Sequence, residues 1–140
     1  RIGIECRFMT NLRVSEVAAL LRVSDDTVRR WIDQGKLGSG RDDAGRTVVP
    51  GVDVAHFARN QWPQESSHES SARNRLEGIV TDVQRDGVMA QVEIQAGPFR
   101  LVSLMSREAA DELGLEPGTL AAAVVKATTV IVEAVDVVAQ

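Results

Sequence analysis

A polar, serine-rich stretch at residues 61–70 divides the sequence and most limits what the chain can fold into. It contains Pro63, and no core residue follows Trp62 until Leu76. Such a composition buries too little apolar surface to fold alone and is typical of a flexible linker. With 140 residues and 44% hydrophobic content, the rest of the chain suffices for two small domains with separate cores.

Before the linker, the apolar residues follow a helical period. Ser15 and Ser24 are predicted to be the N-caps of two short helices, and Gly35 is expected to end the second. A tight turn joins the two helices, and the second presents arginines on its outward face. Two short helices in this arrangement predict a helix-turn-helix.

A hairpin and a third helix are expected next. The hairpin should span residues 37–49, with its turn at residues 42–45, and the helix should span about residues 53–60. His56 lies in that helix and is interpreted as a partly buried packing residue. No other histidine, cysteine or carboxylate lies near it at the spacing of metal ligands, so a metal site is not expected.

Four segments of this half, residues 14–18, 27–31, 35–37 and 49–57, resemble the MerR-like and excisionase-like winged helix-turn-helix families. In those families the second helix enters the major groove and the hairpin forms a wing on the DNA backbone or in the minor groove, so the resemblance implies DNA as a partner. The candidate DNA-binding residues are Ser24, Asp26, Thr27, Arg29, Arg30, Lys36, Arg41 and Arg46.

The expected wing departs from those families in its charge. Asp42 and Asp43 lie in its turn and should repel phosphate. A useful affinity for DNA would therefore need several copies of this N-terminal half, the DNA-binding head, on one DNA molecule. The alternative is that Arg29 and Arg30 only solvate a helix face and that the module binds protein.

After the linker, the apolar period changes to two, which predicts strands over about residues 78–83, 88–94 and 99–105. Ser106 should open a helix that ends at Gly114. Two further strands are expected near residues 119–126 and 130–134. This is the order of a small five-stranded OB-like barrel with one helix.

The second half also carries residues suited to a doubly charged tetrahedral oxyanion, which needs many short donors and one or two cations. Residues 71–74, 105–115 and 124–128 resemble the Mop or TOBE family, the molbindins and the sensing halves of molybdate-responsive regulators. The resemblance implies that molybdate or tungstate binds across a subunit interface. The candidate oxyanion-binding residues are Ser71, Ala72, Arg73, Asn74, Ser106, Ala109, Lys126 and Ala127.

Because single-copy molbindins form hexamers, the resemblance and the single copy of this domain per chain imply a homo-oligomer, with a hexamer favoured and a dimer left open. Charge separates the two halves. Residues 1–62 carry ten Lys and Arg against eight Asp and Glu, net +2, and residues 63–140 carry six against twelve, net −6. With this charge and one aromatic residue, Phe99, the second half is not expected to bind oligonucleotides.

The sequence therefore predicts an α+β chain with a winged helix-turn-helix at residues 10–60, a linker at residues 61–70 and a Mop/TOBE domain at residues 71–137. The favoured hypothesis is a DNA-binding transcription regulator that senses molybdate or tungstate. The alternatives are an oxyanion buffering protein whose head is an anchor, and an excisionase-like architectural DNA binder.

Other classes of protein are not favoured. Cys6 is the only cysteine, and no nucleophile with a base, carboxylate pair or metal motif indicates an enzyme. The sequence has no apolar run of the ~20 residues that a membrane span needs and no signal-peptide pattern, so we expect a cytoplasmic protein.

Overall fold

The computed structural model describes residues 10–62 and 70–135; the central part of the predicted linker, residues 63–69, lies outside them. The described residues form two compact units, and each has its own apolar core: residues 10–62 and 133–135 belong to the first unit, and residues 70–132 belong to the second. Both units combine helices with an antiparallel sheet, so the predicted α+β class is confirmed.

The first unit is a small helical domain with a three-stranded sheet. Its sheet has the order β1-β3-β2, and Val17, Val28, Trp31 and Phe57 are in its core. The elements in chain order are β1 (Asn11–Arg13), α1 (Val14–Leu21), α2 (Asp25–Asp33), β2 (Gly40–Arg41), β3 (Thr47–Pro50) and α3 (Gly51–Gln61).

The predicted N-cap of α1 is wrong, whereas that of α2 is confirmed. Helix α1 follows β1 directly, and the Glu16 carboxylate accepts a 3.0 Å hydrogen bond from the backbone N–H of Arg13. Strand β1 pairs with β3 and so fixes Arg13, not Ser15, in the extended cap conformation. At α2, Ser24 Oγ accepts from the backbone N–H of Thr27 at 3.1 Å.

The predicted end of α2 is confirmed, whereas the predicted environment of His56 is not. Gly35 adopts a left-handed conformation, with φ of 74°, just after α2, which is the predicted helix end. His56 does lie on α3, but its side chain is exposed, so the prediction of a partly buried packing residue is wrong. The buried face of α3 is instead formed by Val54 and Phe57.

The second unit is a four-stranded antiparallel sheet with one short helix. The strand order is β6-β5-β4-β7, and the core contains Val80, Val92, Ile94 and Leu115. The elements in chain order are β4 (Asn74–Arg85), β5 (Met89–Ala96), β6 (Phe99–Ser106), α4 (Arg107–Glu112) and β7 (Leu120–Val125).

Strand β4 organises this sheet because its two halves pair with different strands. Residues 79–85 pair with β5 and residues 74–79 pair with β7, and a bulge interrupts the first ladder between Val80 and Asp82. At Gly78 the backbones of β4 and β5 come so close that a Cβ on residue 78 would lie 2.3 Å from the Gln95 carbonyl oxygen. The bulge and this close approach let the sheet curl around its core.

The predicted strand at residues 130–134 is wrong. A single 3₁₀ turn, Ala127–Thr129, follows β7, and no strand is assigned in residues 130–135. The segment has the composition of a strand, but a strand also needs a paired edge, and no edge among the described residues pairs with it. One chain therefore supplies four strands of the expected five-stranded barrel.

Helix α4 is held on the sheet by Arg85, whose side chain is only 20% exposed. Its guanidinium donates to the Asp111 carboxylate at 2.9 Å, to the Leu115 carbonyl at 2.8 Å and to Glu116 at 3.1 Å. The start of α4 is capped as predicted, because Ser106 Oγ accepts from the Ala109 N–H at 3.1 Å. Ser106 is therefore held by its own capping bond at the start of α4, and α4 is held at its other end by Arg85.

Candidate functional site

The predicted DNA-binding residues divide into those that build α2 and those that remain available on its surface. Ser24 and Thr27 build the helix start, where their hydroxyl oxygens lie 2.9 Å apart in a mutual hydrogen bond. Arg29, Arg30 and Lys36 are exposed, and among the described residues none of the three makes an ion pair. These three cations can therefore face a polyanion without first breaking an internal contact.

The hairpin stands next to α2, as a wing would. A cleft between them is lined by Arg29, Ile32 and Asp33 from α2 and by Arg41 and Thr47 from the hairpin. Asp26 is exposed near the first turn of α2. Most of the predicted DNA-binding residues thus lie on α2 or on the hairpin beside it.

Asp42 organises the hairpin turn, a role that the sequence analysis missed. Its carboxylate accepts from the backbone N–H groups of Ala44 at 3.0 Å and Arg46 at 2.8 Å, and from Arg46 Nε at 2.8 Å. The hydrogen bond from the Arg46 backbone, together with the Arg46 guanidinium, lowers the pKa of the Asp42 carboxyl group. This carboxylate is paired with the Arg46 guanidinium within the hairpin, and the expected repulsion of phosphate by Asp42 and Asp43 stays a prediction.

The two wing arginines are both engaged inside the hairpin. Arg46 is held by Asp42, and Arg41 Nη1 donates to the Gly45 carbonyl at 2.9 Å. An aspartate followed three residues later by glycine is typical of a turn, and this signal could have indicated the inward role of Asp42. The wing therefore offers less free positive charge than its arginine count indicates.

The predicted oxyanion-binding residues form two clusters, of which the first lies where β4 begins and β7 ends. Asn74 is paired in register with Val125, and its side-chain amide donates to the Val125 carbonyl at 3.1 Å. This pairing places Ser71–Arg73 beside Lys126 and Ala127. Both cations of the predicted site, Arg73 and Lys126, therefore belong to one cluster.

The Arg73 side chain folds back over its own loop. Its Nη1 donates to the Ser70 carbonyl at 3.1 Å and to the Ala72 carbonyl at 3.4 Å. Ser70 Oγ in turn accepts from the Ala72 N–H at 3.1 Å. These exposed contacts shape the loop and leave other guanidinium N–H groups for an anion.

The second cluster, Ser106 and Ala109, lies at the opposite end of the sheet. Ser106 is in register with Met89 on β5, near the point where β4 ends at Arg85, whereas Asn74 begins β4. Arg107, which the sequence analysis did not single out, adds a positive charge beside Ser106 and donates to the Asp86 carbonyl at 3.0 Å. One chain does not bring the two clusters together.

Asp86 lies on the turn before β5, where its backbone carbonyl accepts a hydrogen bond from Arg107, next to this second cluster. It accepts from the backbone N–H groups of Val88 and Met89, both at 2.7 Å. The bond from Met89, followed by that from Val88, lowers the pKa of the Asp86 carboxyl group, and the charge of Arg107 contributes. Its negative charge is thus used to shape the turn.

Within residues 10–62 and 70–135, no group of three or more His, Cys, Asp or Glu side chains could hold a metal ion. No helix in these ranges is long and apolar enough to span a membrane.

Comparison with known proteins identifies both units. The family model for the TOBE domain matches residues 70–132, and that for a helix-turn-helix domain matches residues 12–61. Molybdenum-pterin-binding protein 2 of Clostridium pasteurianum is 38% identical over 63 residues, which cover 44% of this chain and 93% of that protein. A probable molybdenum-pterin-binding protein of Haemophilus influenzae is 43% identical over 63 residues, covering 44% and 91%.

Among solved structures, a molybdate binding protein from Sporomusa ovata is 32% identical to this chain. The match covers 46% of this chain and 97% of that one, with a TM-score of 0.45.

Proposed function

Because the chain belongs to the TOBE domain family through residues 70–132 and carries a helix-turn-helix domain at residues 12–61, we propose that it is a DNA-binding transcription regulator that senses molybdate or tungstate. Its role in this proposal is to bind, not to catalyse. The relatives named for molybdenum-pterin binding match the second unit over nearly their whole length, which supports the oxyanion as its ligand.

The observation that supports the proposal most is the contact between Asn74 and Val125, because Arg73 and Lys126 are the chain neighbours of these two paired residues. Two cations with the Ser71 hydroxyl and nearby backbone N–H groups suit a doubly charged tetrahedral anion. The small side chains of Ala72 and Ala127 would let the anion approach the backbone.

The proposed oxyanion site is shared between subunits. Ser106 and Ala109, at the other end of the sheet, would complete the donors of a cluster that belongs to a second copy. The N-cap position of Ser106 and the charge of Arg107 suit an anion there. This arrangement supports a homo-oligomer, for which we favour a hexamer.

For the first unit we propose that α2 enters the major groove of DNA. Arg29, Arg30 and Lys36 are exposed and make no ion pair with any described residue, and the neighbouring hairpin would lie along the DNA backbone. Because Arg41 and Arg46 are engaged inside the hairpin, a single head should bind weakly. An oligomer would present several heads to one DNA and so raise the overall affinity.

Two titrations on the full-length protein test these proposals separately. Calorimetry should show tight binding of molybdate and tungstate and no heat with sulfate, which is smaller and would leave donors unfilled. Fluorescence anisotropy on labelled duplex DNA across a salt series should show an affinity that falls as salt rises. Equal binding of all three anions would refute the sensor, and a salt-independent DNA signal would refute the DNA-binding head.

A second candidate function is oxyanion buffering, with the first unit acting as an anchor. The pairing of Arg46 with Asp42 favours it, because this ion pair removes a cation from the surface that would contact DNA. Buffering predicts tight oxyanion binding together with no salt-sensitive DNA affinity, so the same two titrations distinguish it from regulation.

A further inference from the structure

Arg22 ends α1 in a backbone conformation that a residue with a side chain rarely adopts. Its φ of 58° and ψ of 44° are left-handed, and among residues 10–62 and 70–135 it is the only residue other than glycine with a positive φ. The backbone N–H groups of Arg22 and Val23 both donate to the Ala18 carbonyl and so close the end of the helix. Glycine usually takes such a position, because it has no Cβ to collide with the backbone. An arginine therefore costs conformational free energy in the folded state that a glycine would not.

Burial in the apolar core does not explain this arginine. Its side chain is exposed, whereas the buried residues of α1 are Val14, Val17 and Ala18. Residues held in sparsely populated backbone conformations cluster at functional sites, where the side chain is needed for a contact. The position of Arg22 therefore indicates a role other than packing.

Arg22 lies in the turn immediately before α2, the helix proposed to enter the major groove. In a helix-turn-helix the first helix crosses the DNA backbone, so the turn between the two helices comes near the phosphates. The first turn of α2 carries Asp25 and Asp26, both exposed, and their carboxylates repel phosphate. Within residues 22–28 of the sequence, Arg22 is the only cation. Without it, this end of α2 would meet the DNA backbone with negative charge alone.

We propose that the Arg22 guanidinium contacts a phosphate of the DNA backbone and so positions the start of α2 in the major groove. A phosphate contact supplies affinity and orientation but reads no base. Arg22 thus complements Arg29 and Arg30, the exposed cations that α2 itself presents. The inference rests on the proposed DNA binding by the first unit, to which it adds a residue that sequence reasoning missed.

Three substitutions of Arg22 separate a DNA contact from a structural role. R22G removes the cation and relieves the backbone strain, R22N removes the cation with a residue that tolerates the left-handed region, and R22K keeps the charge. In anisotropy titrations of duplex DNA across a salt series, R22G and R22N should bind at least about fivefold more weakly than wild type. Their slope of log affinity against log salt should fall by about one.

Two further variants serve as controls in the same titrations. R22K should keep the wild-type slope and stay within about threefold of the wild-type affinity, because it retains the charge at the same position. Arg59→Ala removes a positive charge from an exposed position in the last turn of α3 and should match wild type.

Tryptophan fluorescence in urea measures the stability of the same variants. Both tryptophans of the chain, Trp31 and Trp62, belong to the first unit, so their fluorescence follows the unfolding of that unit. We expect the urea midpoint of R22G to be at least as high as that of wild type, since the left-handed conformation suits glycine. Weaker DNA binding in a variant that is no less stable is a result that a structural role would not give.

The outcomes distinguish failure of this inference from failure of the proposed function. Wild-type affinity and salt slope in R22G and R22N, binding by R22K as weak as that by R22N, or a lower urea midpoint for R22G would each overturn the role of Arg22 and leave DNA binding by the first unit intact. If the wild-type protein shows no salt-dependent affinity for DNA, the proposed function fails and the inference fails with it.

Discussion

The side-chain amide of Asn74 donates a 3.1 Å hydrogen bond to the backbone carbonyl of Val125, the residue with which it is also paired in register. Two parts of the chain 51 residues apart are thereby held together, and each continues into a segment that carries a cation. This is how the fold places Arg73 and Lys126 in one cluster. Their contribution to oxyanion binding can be measured directly.

Replacing Arg73 or Lys126 by alanine should weaken molybdate binding by about 1.5–3 kcal/mol each, because each change removes a charged hydrogen-bond donor. Calorimetric titration of the two variants measures the loss. Arg75→Ala is the matched control, since Arg75 is an exposed arginine of β4 whose guanidinium pairs with Glu77 at 3.3 Å. Wild-type affinity in both test variants would exclude the proposed site.

Replacing Arg30 by alanine should weaken DNA binding by about 1–3 kcal/mol and leave molybdate binding unchanged. If Arg30 contacts phosphate, the slope of log affinity against log salt should also fall by about one. Arg59→Ala is the control, because Arg59 is exposed in the last turn of α3 and outside the proposed DNA surface. A loss of affinity for Arg59→Ala as large as for Arg30→Ala would mean that only the net charge of the head matters.

Replacing Asp42 by asparagine should strengthen DNA binding and steepen its salt dependence. The amide oxygen can still accept from the Ala44 and Arg46 N–H groups, but the charge that holds the Arg46 guanidinium is gone. Asp43→Asn makes the same charge change in the same turn, where Asp43 is exposed. Anisotropy titrations should show a larger gain for Asp42→Asn, and an equal gain in both would contradict the release of Arg46.

Acid should destabilise both units, because the pKa values of Asp42, Asp86 and Glu93 are lowered in the folded protein. For Glu93 the cause is the Thr81 hydroxyl, followed by Arg100. A carboxyl group with a lowered folded pKa stabilises the fold above its unfolded pKa, near 4, and this stabilisation is lost as pH falls through the folded value. Urea unfolding between pH 7 and pH 3 should therefore show a falling free energy of unfolding.

Substitution of Asp86 by asparagine tests the contribution of one of these carboxyl groups. The fall in stability between pH 7 and pH 3 should be shallower than in the wild type, since one group that binds a proton on unfolding has been removed. Asp82→Asn is the comparison, because Asp82 is an exposed aspartate on neighbouring β4. If both variants lose stability with pH as steeply as the wild type, the lowered pKa of Asp86 does not contribute.

Features of this fold that depend on neighbouring residues could be predicted from the sequence, and features that depend on distant pairing could not. Ser24 and Ser106 cap helices through N–H groups three residues away, so local pattern sufficed. Ser15 failed as a cap because the pairing of β1 with β3 moves the helix start to Val14. Residues 130–134 failed as a strand because strand composition does not supply a paired edge.

The candidate site shows the same division. The resemblance to the Mop or TOBE family, together with suitable residue types, indicated Ser71, Arg73, Ser106 and Lys126 as oxyanion donors, and this assignment stays a prediction. Their distribution into two clusters at opposite ends of the sheet follows from strand register, in which Asn74 faces Val125 and Ser106 faces Met89. Register is set by turns, bulges and side-chain packing along the entire sheet, so no short motif contains it.

Replacing Gly78 by alanine should destabilise the second unit by about 1–3 kcal/mol, as overpacking does in a well-packed core. The added Cβ would lie 2.3 Å from the Gln95 carbonyl oxygen and 3.0 Å from the Ala96 Cα, and both atoms belong to backbone that cannot move without disturbing the β4–β5 ladder. Gly87→Ala is the control, because a Cβ there meets nothing within 4 Å. Urea unfolding at one fixed protein concentration removes the effect of assembly on apparent stability. If Gly78→Ala unfolds at the same urea concentration as Gly87→Ala, the close approach of β4 and β5 does not constrain this fold.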